Sequence, residues 1–155
     1  MNTRKQTAIM VLFSGSLTLT AFSQEKKINR SELPAEVEKT VQAQSQGATI
    51  KGFATEREGR KKVYETEMIV DGHTKDIQIA EDGTLNEIEE EVQMDSLPSE
   101  LQARLKAKAR GATITKVESL TKHGTIVAYE AATLKGSKTG EIQVGPDGKN
   151  LAHSE

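Results

Sequence analysis

The sequence predicts an α+β protein built from two tandem repeats, each with one helix packed on an antiparallel sheet of three to four strands. Three observations predict this class. Short motifs recur in a constant order along the chain. Each copy opens with apolar residues at helical spacing, and each continues with strand-like segments separated by turn residues.

The internal repeat is indicated by five pairs of motifs spaced 64 or 65 residues apart. The pairs are Leu33-Pro34 with Leu97-Pro98, 47–50 with 111–114, Tyr64-Glu65 with Tyr129-Glu130, 77–79 with 142–144, and Asp82-Gly83 with Asp147-Gly148. Matches in the same order at a nearly constant spacing indicate a duplication. The predicted repeats are 31–94 and 95–155, joined at Met94-Asp95-Ser96.

The first 23 residues have the three parts of a secretory signal peptide. Arg4 and Lys5 precede an apolar run over 8–22, which ends in the small-residue pattern Ala21-Phe22-Ser23. This run is shorter than the roughly 20 residues that span a bilayer. We therefore expect cleavage of residues 1–23, a flexible mature N-terminus over 24–30, and a periplasmic or secreted product without stable membrane insertion. A retained N-terminal anchor is the alternative.

The composition of the mature chain excludes several kinds of partner and site. Without residues 1–23 the chain has 19 basic and 23 acidic residues, a net charge of −4, which disfavours nucleic acid. Phe53, Tyr64 and Tyr129 are its only aromatic residues, too few for a base-stacking or sugar-binding surface. The absence of cysteine excludes disulfides and thiolate metal sites.

Each repeat begins with a predicted amphipathic helix. Pro34 and Pro98 suit the first helical position, and Gly47 and Gly111 suit a left-handed residue just after the helix. Between these limits apolar residues recur every fourth position, at 33, 37 and 41 and at 97, 101, 105 and 109. One apolar stripe per helix indicates packing on a core and not on a membrane surface.

Four strands are predicted after the first helix and three after the second. They are 48–57, 62–70, 75–80 and 84–92, then 113–120, 125–134 and 140–144. Turn pairs such as Asp71-Gly72 make neighbouring strands antiparallel. A last strand near Leu151 is expected to be short or absent. Because a unit of about 60 residues is marginally stable alone, the repeats are expected to dock, either side by side as one sheet or face to face.

This order of motifs resembles the PepSY and PepSY-like repeat of exported bacterial proteins. The resemblance spans nearly all of residues 31–155, from the Leu-Pro helix start through Gly-Ala, Tyr-Glu and Ile-Gln-Ile to the Asp-Gly turn. In outline it is also similar to the tandem helix-plus-sheet architecture of secreted β-lactamase-inhibitor proteins. The resemblance implies a periplasmic or secreted module that restrains a peptidase or binds another envelope protein, with no catalytic residues of its own.

One departure from inhibitors of this shape is the lack of aromatic anchors. Tight protein interfaces concentrate binding energy in Trp, Tyr and Arg. This chain has no Trp, and both Tyr64 and Tyr129 are predicted to point inward. A weaker, more polar binder is therefore expected in preference to a tight enzyme inhibitor.

No catalytic, cofactor or metal site is predicted. His73, His123 and His153 lie in or beside predicted turns or in the tail, without a second ligand at metal spacing. The segment 136–139 resembles part of a phosphate-binding loop but lacks the required glycines, so it is interpreted as a hairpin turn.

Acidic residues cluster at 87 and 89–91, near the end of the first repeat. They lack the alternating oxygen ligands and central glycine of a calcium loop. A solvated sheet edge that discourages aggregation is the favoured interpretation, with attraction of a cation as the alternative.

The candidate partner-binding surface is the open face of the sheet, which we define as the face away from the helices. If the two tyrosines point inward, alternation along each strand directs their neighbours to the open face. The candidate residues are Glu65, Glu67, Gln78, Glu130 and Gln143. An acid-leaning strip of this kind suits a basic or polar protein surface, and an ordinary solvated face is the alternative.

The first functional hypothesis is an exported, non-enzymatic, PepSY-like binding module. Its partner is expected to be another exported or envelope protein, such as a periplasmic or secreted peptidase that it modulates or inhibits. The alternative hypothesis is a small-ligand or ion sensor with a site in the cleft between the two repeats.

Overall fold

The computed structural model describes residues 25–153 and 155, which form one eight-stranded antiparallel sheet and two α-helices. The strands are neighbours in chain order from β1 to β8. The predicted signal peptide, residues 1–23, lies outside the described residues. Among the described residues, no helix combines the length and the apolar character needed to cross a membrane.

The elements follow the predicted order. The helices are α1 (Ala35–Gln44) and α2 (Ser99–Lys108). The strands are β1 (Lys26–Ile28), β2 (Thr49–Glu58), β3 (Lys61–Val70), β4 (His73–Ala80), β5 (Leu85–Glu91), β6 (Thr113–Lys122), β7 (Thr125–Lys135) and β8 (Lys138–Val144). Short 3₁₀ turns at Arg30–Glu32 and Met94–Ser96 precede the two helices. The predicted joint therefore forms the second of these turns.

The helix boundaries differ from the prediction by one residue. Pro34 and Pro98 are the residues just before the helices, with extended ψ values of 151° and 140°, and not the first helical residues. Gly47 and Gly111 both have a φ of 78°, the left-handed conformation predicted for the residues that follow the helices.

The segment predicted to be flexible, residues 24–30, contains a strand, which corrects that prediction. Lys26–Ile28 forms strand β1 and pairs antiparallel with β2, from Lys26 opposite Thr55 to Ile28 opposite Phe53. A strand of three residues depends on its partner strand for stability, so it leaves little local signal in the sequence.

The two halves of the chain join as one sheet, which settles the choice between side-by-side and face-to-face docking. We call residues 25–93 the first half and the remaining described residues the second half. Strand β5 of the first half pairs with β6 of the second, from Glu87 opposite Lys122 to Glu91 opposite Glu118. The last strand near Leu151, which was expected to be short or absent, is absent from the described residues.

Each helix covers its own hydrophobic cluster on the same face of the sheet. In the first half, Val37 and Val41 of α1 pack with the buried sheet residues Tyr64, Met68, Ile77 and Ile79. In the second half, Leu97, Leu101 and Leu105 pack with Val117, Ala131 and Val144, and the half-buried Tyr129 packs against this cluster. Both tyrosines therefore face the helices, as predicted. This arrangement leaves the opposite, open face to the alternate residues of each strand.

Candidate functional site

The open face is built from rows of side chains that run across the strands. One row joins Glu65, Gln78, Glu87 and Lys122 through successive strand pairs. The next row joins Glu67, Asp76 and Glu89 to Leu120. A third row joins Glu91 of the first half to Glu118, Glu130 and Gln143 of the second half. Carboxylates thus dominate the open face on both halves.

The five sequence-predicted residues all lie on this face, but they differ in accessibility. Glu65, Glu67 and Gln78 in the first half are half-buried. Glu130 and Gln143 in the second half are buried, each with 7% of its surface exposed. Only the first-half residues are therefore exposed enough for direct contact with a partner.

In the first half, Gln78 forms its side-chain hydrogen bonds with residues other than Glu65, which lies opposite it on β3. Its Nε2 donates a hydrogen bond of 2.9 Å to Glu58 Oε1, and its Oε1 accepts one of 3.3 Å from Asn86 Nδ2. Burial, reinforced by the nearby Glu56 charge, raises the pKa of Glu65 to about 8. Glu65 is therefore partly protonated at neutral pH.

In the second half, the corresponding glutamine contacts its glutamate directly. Gln143 Nε2 donates a hydrogen bond of 2.6 Å to Glu130 Oε2. Burial nevertheless raises the pKa of Glu130 to about 8, because its effect outweighs this hydrogen bond and the Glu141 charge adds to it.

The C-terminal tail reaches the open face of the second half. The backbone N–H of Glu155 donates a hydrogen bond of 3.0 Å to Gln143 Oε1, and Glu155 Oε2 lies 3.7 Å from Lys122 Nζ. The tail therefore contacts the same part of the face in which Glu130 and Gln143 are buried.

Three carboxylates meet where the two halves join. Asp76 of β4, Glu89 of β5 and Glu118 of β6 each place a carboxylate oxygen within 4.8 Å of the others. We call these residues the junction cluster. Burial, followed by the Glu118 charge, raises the pKa of Asp76 to about 7. Lys116 Nζ lies 2.7 Å from Glu118 Oε1 and supplies the nearest positive charge.

The interpretation of residues 87 and 89–91 as a solvated edge is wrong. Strand β5 is paired on both sides, with β4 and with β6, and so lies in the interior of the sheet. Glu87, Glu89 and Glu91 face the open side, whereas Glu90 forms an ion pair of 2.9 Å with Lys75. Sequence reasoning missed the junction cluster because β5 was taken as an edge.

The remaining sequence candidates lie away from this face or on turns. His73, His123 and His153 are exposed, as expected for turn and tail histidines. His73 Nδ1 lies 3.9 Å from Glu91 Oε1. Residues Gly136 and Ser137 connect β7 to β8, in agreement with the hairpin-turn interpretation of 136–139.

Several solved structures share this fold. A BLIP-like protein from Bacteroides fragilis aligns with a TM-score of 0.57 and 16% identity, over 79% of this chain and 85% of the other. A Bacteroides eggerthii protein, provisionally described as periplasmic, aligns with a TM-score of 0.62 and 13% identity, over 79% and 88% of the two chains. A DUF2874 family protein from Bacteroides ovatus aligns with a TM-score of 0.59 and 14% identity, over 77% and 84%.

The sequence comparisons do not assign the chain to a family. No family model matches the chain, and no curated protein matches its sequence. At identities of 13–16% the structural likeness establishes the fold alone.

Proposed function

We propose that the protein is an exported, non-enzymatic binding module that uses the open face to hold a basic surface of another exported or envelope protein. The observation that carries this proposal is the imbalance of charge on that face. Its rows contain Glu67, Glu87, Glu89 and Glu91 in addition to the partly protonated Glu65. Among the described residues, the basic side chains that the strand pairing places in or beside these rows are fewer, namely Lys27, Lys116 and Lys122. A face with this charge attracts partners that present Lys and Arg.

The proposed binding is weak and polar. Tyr64 is 2% exposed, and both tyrosines face the helices, so neither can serve as an aromatic anchor. Interfaces without such anchors rarely reach the affinity of a tight inhibitor. A modulator of a periplasmic or secreted peptidase, released at high salt, fits this chemistry better than a tight inhibitor does.

We further infer that the two halves arose by duplication of a PepSY-like unit. The support is the conserved spacing of 64 or 65 residues together with the same helix-then-strands order in both halves. The likeness to a BLIP-like protein and to a provisionally periplasmic protein supports a periplasmic, non-enzymatic role.

Co-purification from a cell-envelope extract, after crosslinking at physiological salt, tests the partner proposal. The wild-type chain is compared with a variant that carries Glu65→Gln and Glu67→Gln on the open face. The matched control carries Glu36→Gln and Glu100→Gln, which remove two exposed helix acids. We expect a stoichiometric partner with the wild-type and control chains and its loss with the open-face variant. Failure to recover any partner, or equal recovery with all three chains, would contradict the proposal.

A sensor for a small ligand or ion at the junction of the two halves is the competing proposal. It is favoured by the meeting of carboxylates from both halves in the junction cluster. A ligand that raises the melting temperature in a saturable manner, with no partner present, would support it.

A further inference from the structure

Strand β8 lies at one edge of the sheet, with β7 on one side and, among the described residues, no strand on the other. Its register with β7 runs without interruption from Lys135 opposite Lys138 to Tyr129 opposite Val144. Native proteins often blunt a sheet edge with a proline, a β-bulge or a very short strand, because an open edge can pair with another chain. Strand β8 has seven residues, no proline and no register shift. It therefore offers an edge on which a further strand can pair.

The outer edge of β8 presents the backbone groups of alternate residues. The two-residue turn between β7 and β8 makes Lys138 part of a hydrogen-bonded pair, so every second residue from Lys138 directs its N–H and C=O groups to β7. The intervening residues, among them Glu141, direct theirs outward. The Gln143 carbonyl is one of these outward groups, and it accepts a hydrogen bond from Lys108 Nζ, which occupies the far end of the edge. The segment open to pairing is therefore 138–142.

The corresponding edge in the first half is covered by a strand. Strand β4, which corresponds to β8 in the repeat, is paired along its outer edge with β5. Ile77 of β4 is 1% exposed and lies opposite Ile88 of β5, which packs against the first hydrophobic cluster. The counterpart of Ile77 is Ile142, which packs against the second cluster but is only half-buried. An aliphatic residue opposite Ile142 would therefore complete the second core as Ile88 completes the first.

On the open face, the same edge favours a basic residue in an incoming strand. Glu141 lies on this face, and its charge acts on Glu130, which is diagonally opposite on β7. In the row of Glu141 the strand pairing places Lys116 two strands away, where it contacts Glu118 Oε1 at 2.7 Å. A Lys or Arg opposite Glu141 would be its immediate cross-strand neighbour, and opposite charges in such positions attract each other.

We propose that β8 accepts an extended segment of a partner protein as an additional antiparallel strand, with an aliphatic residue opposite Ile142 and a basic residue opposite Glu141. Neighbouring residues of a strand point to opposite faces, so the segment alternates aliphatic and basic side chains. Strand addition of this kind takes its affinity from main-chain hydrogen bonds and its specificity from alternate side chains. The inference deepens the proposed binding function and rests on it for the source of the segment, a partner that presents Lys and Arg.

NMR titration of the isotope-labelled chain with synthetic peptides, up to millimolar concentration, tests strand addition at β8. The first peptide has the sequence of residues 85–91 with every glutamate replaced by lysine, and the comparison peptide keeps the glutamates. We expect saturable shifts of the Thr139 and Glu141 amide signals with the lysine peptide. The glutamate peptide should bind about two- to fivefold more weakly, because it places like charges across from Glu141.

Two variants of Glu141 separate the contribution of charge from that of the backbone. Glu141→Lys keeps the backbone N–H and should reverse the preference between the two peptides. Glu141→Pro removes an N–H that points away from β7, so it should abolish the response to both peptides without a large change in melting temperature. The matched control is Glu100→Lys, which makes the same charge change at an exposed position on α2 and should keep the wild-type preference.

Three results would overturn strand addition at β8. They are an unchanged preference in Glu141→Lys, amide shifts confined to other elements, and no response of the wild type to either peptide. Concentration-dependent changes of the same amides without peptide would assign the edge to a second copy of this chain and would also overturn the proposal. If the peptides fail while the open-face variant still loses a co-purified partner, the proposed function stands and only strand addition is removed.

Discussion

In both halves a helix packs on the sheet over a hydrophobic core, but the residues that fill the core are divided differently between the helix and the sheet. In the first half the helix supplies the small residues Val37 and Val41, and the sheet supplies Met68, Ile77 and Ile79. In the second half the helix supplies the larger residues Leu101 and Leu105, and the sheet supplies Val117, Ala131 and Val144. Leu97 and its counterpart Leu33 precede the helices and pack on the two clusters in the same way. The helix therefore contributes a larger share of the apolar core volume in the second half than in the first.

This difference indicates that the fold requires a similar total core volume in each half, whichever layer supplies it. Close packing constrains the summed volume between the helix and the sheet more strongly than the identity of any one residue. The helix-capping glycines and hairpin turns keep their positions, while the size of the core residues varies between layers. The two halves should consequently respond differently to equivalent substitutions.

The largest expected effect comes from truncating the helix core residue. Leu105 and Val41 occupy corresponding positions and are both fully buried. Leu105→Ala should reduce the free energy of unfolding by about 2–5 kcal/mol, and Val41→Ala by about two-thirds as much, because fewer methylene groups are lost. Chemical denaturation of both variants gives the comparison. A greater loss at Val41 would contradict the exchange of volume between layers.

The glycines of the Asp-Gly turns provide the next comparison. Gly83 and Gly148 have φ values of 86° and 75°, and both turn carbonyls are held by a helix side chain. A Cβ at Gly83 would lie 2.8 Å from the backbone oxygen of Glu36, whereas one at Gly148 would meet nothing closer than 3.7 Å.

Gly83→Ala should therefore cost more than Gly148→Ala. Both variants carry the strain of a left-handed alanine, about 1 kcal/mol, and the clash at Gly83 adds about 1–3 kcal/mol. Denaturation midpoints measure the difference. Equal losses would show that α1 moves away from the turn without cost.

A smaller effect is expected from pH. The folded pKa values of Glu65 and Glu130 are about 8, above the ordinary value of 4.5. The folded state therefore binds these protons more tightly, and the stability they contribute is present below about pH 4.5 and lost as pH rises to about 8.

Glu130→Gln should reduce the loss of stability between pH 5 and pH 9, on the order of 1–3 kcal/mol after solvent screening, and Glu65→Gln should do so to a lesser degree. The greater burial of Glu130 is the reason for the order. Denaturation at the two pH values in EDTA checks this. A larger fall for Glu130→Gln than for the wild type would show that the sign is wrong.

The smallest effect should come from an ion pair found in the first half only. Arg30 donates to both carboxylate oxygens of Glu38 at 2.7–3.1 Å, whereas the corresponding positions in the second half are Met94 and Gln102. Arg30→Ala should lower the melting temperature slightly at low salt and less at 1 M salt. Lys39→Ala serves as the exposed control. A loss that grows with salt would indicate that Arg30 acts through packing on Phe53, which lies 5.9 Å away.

Most elements of the fold could be predicted from the sequence because their signals are local. Turn glycines such as Gly72 and Gly83, together with the alternation in β3, placed the strands within a few residues of their observed bounds. Strand β1 escaped prediction because its three residues are stabilised by pairing with β2, not by their own pattern.

The site was less predictable because it depends on pairing between the halves. Alternation placed Glu65 and Glu130 on the open face, but it could not show that Glu130 is the more buried of the two or that Glu155 contacts the neighbouring Gln143. The junction cluster required the register of β5 against β6, in which Glu89 lies opposite Leu120 and next to Glu118. Local sequence patterns do not fix the register between separate segments.

Site-specific photocrosslinking in the cell envelope tests the proposed binding face most directly. A photoreactive residue replaces Gln78 on the open face in one chain and Ala103, on the exposed side of α2, in another. The account predicts a discrete protein adduct from position 78, weakened at high salt, and none from position 103. Adducts of equal yield from both positions, or from position 103 alone, would contradict it.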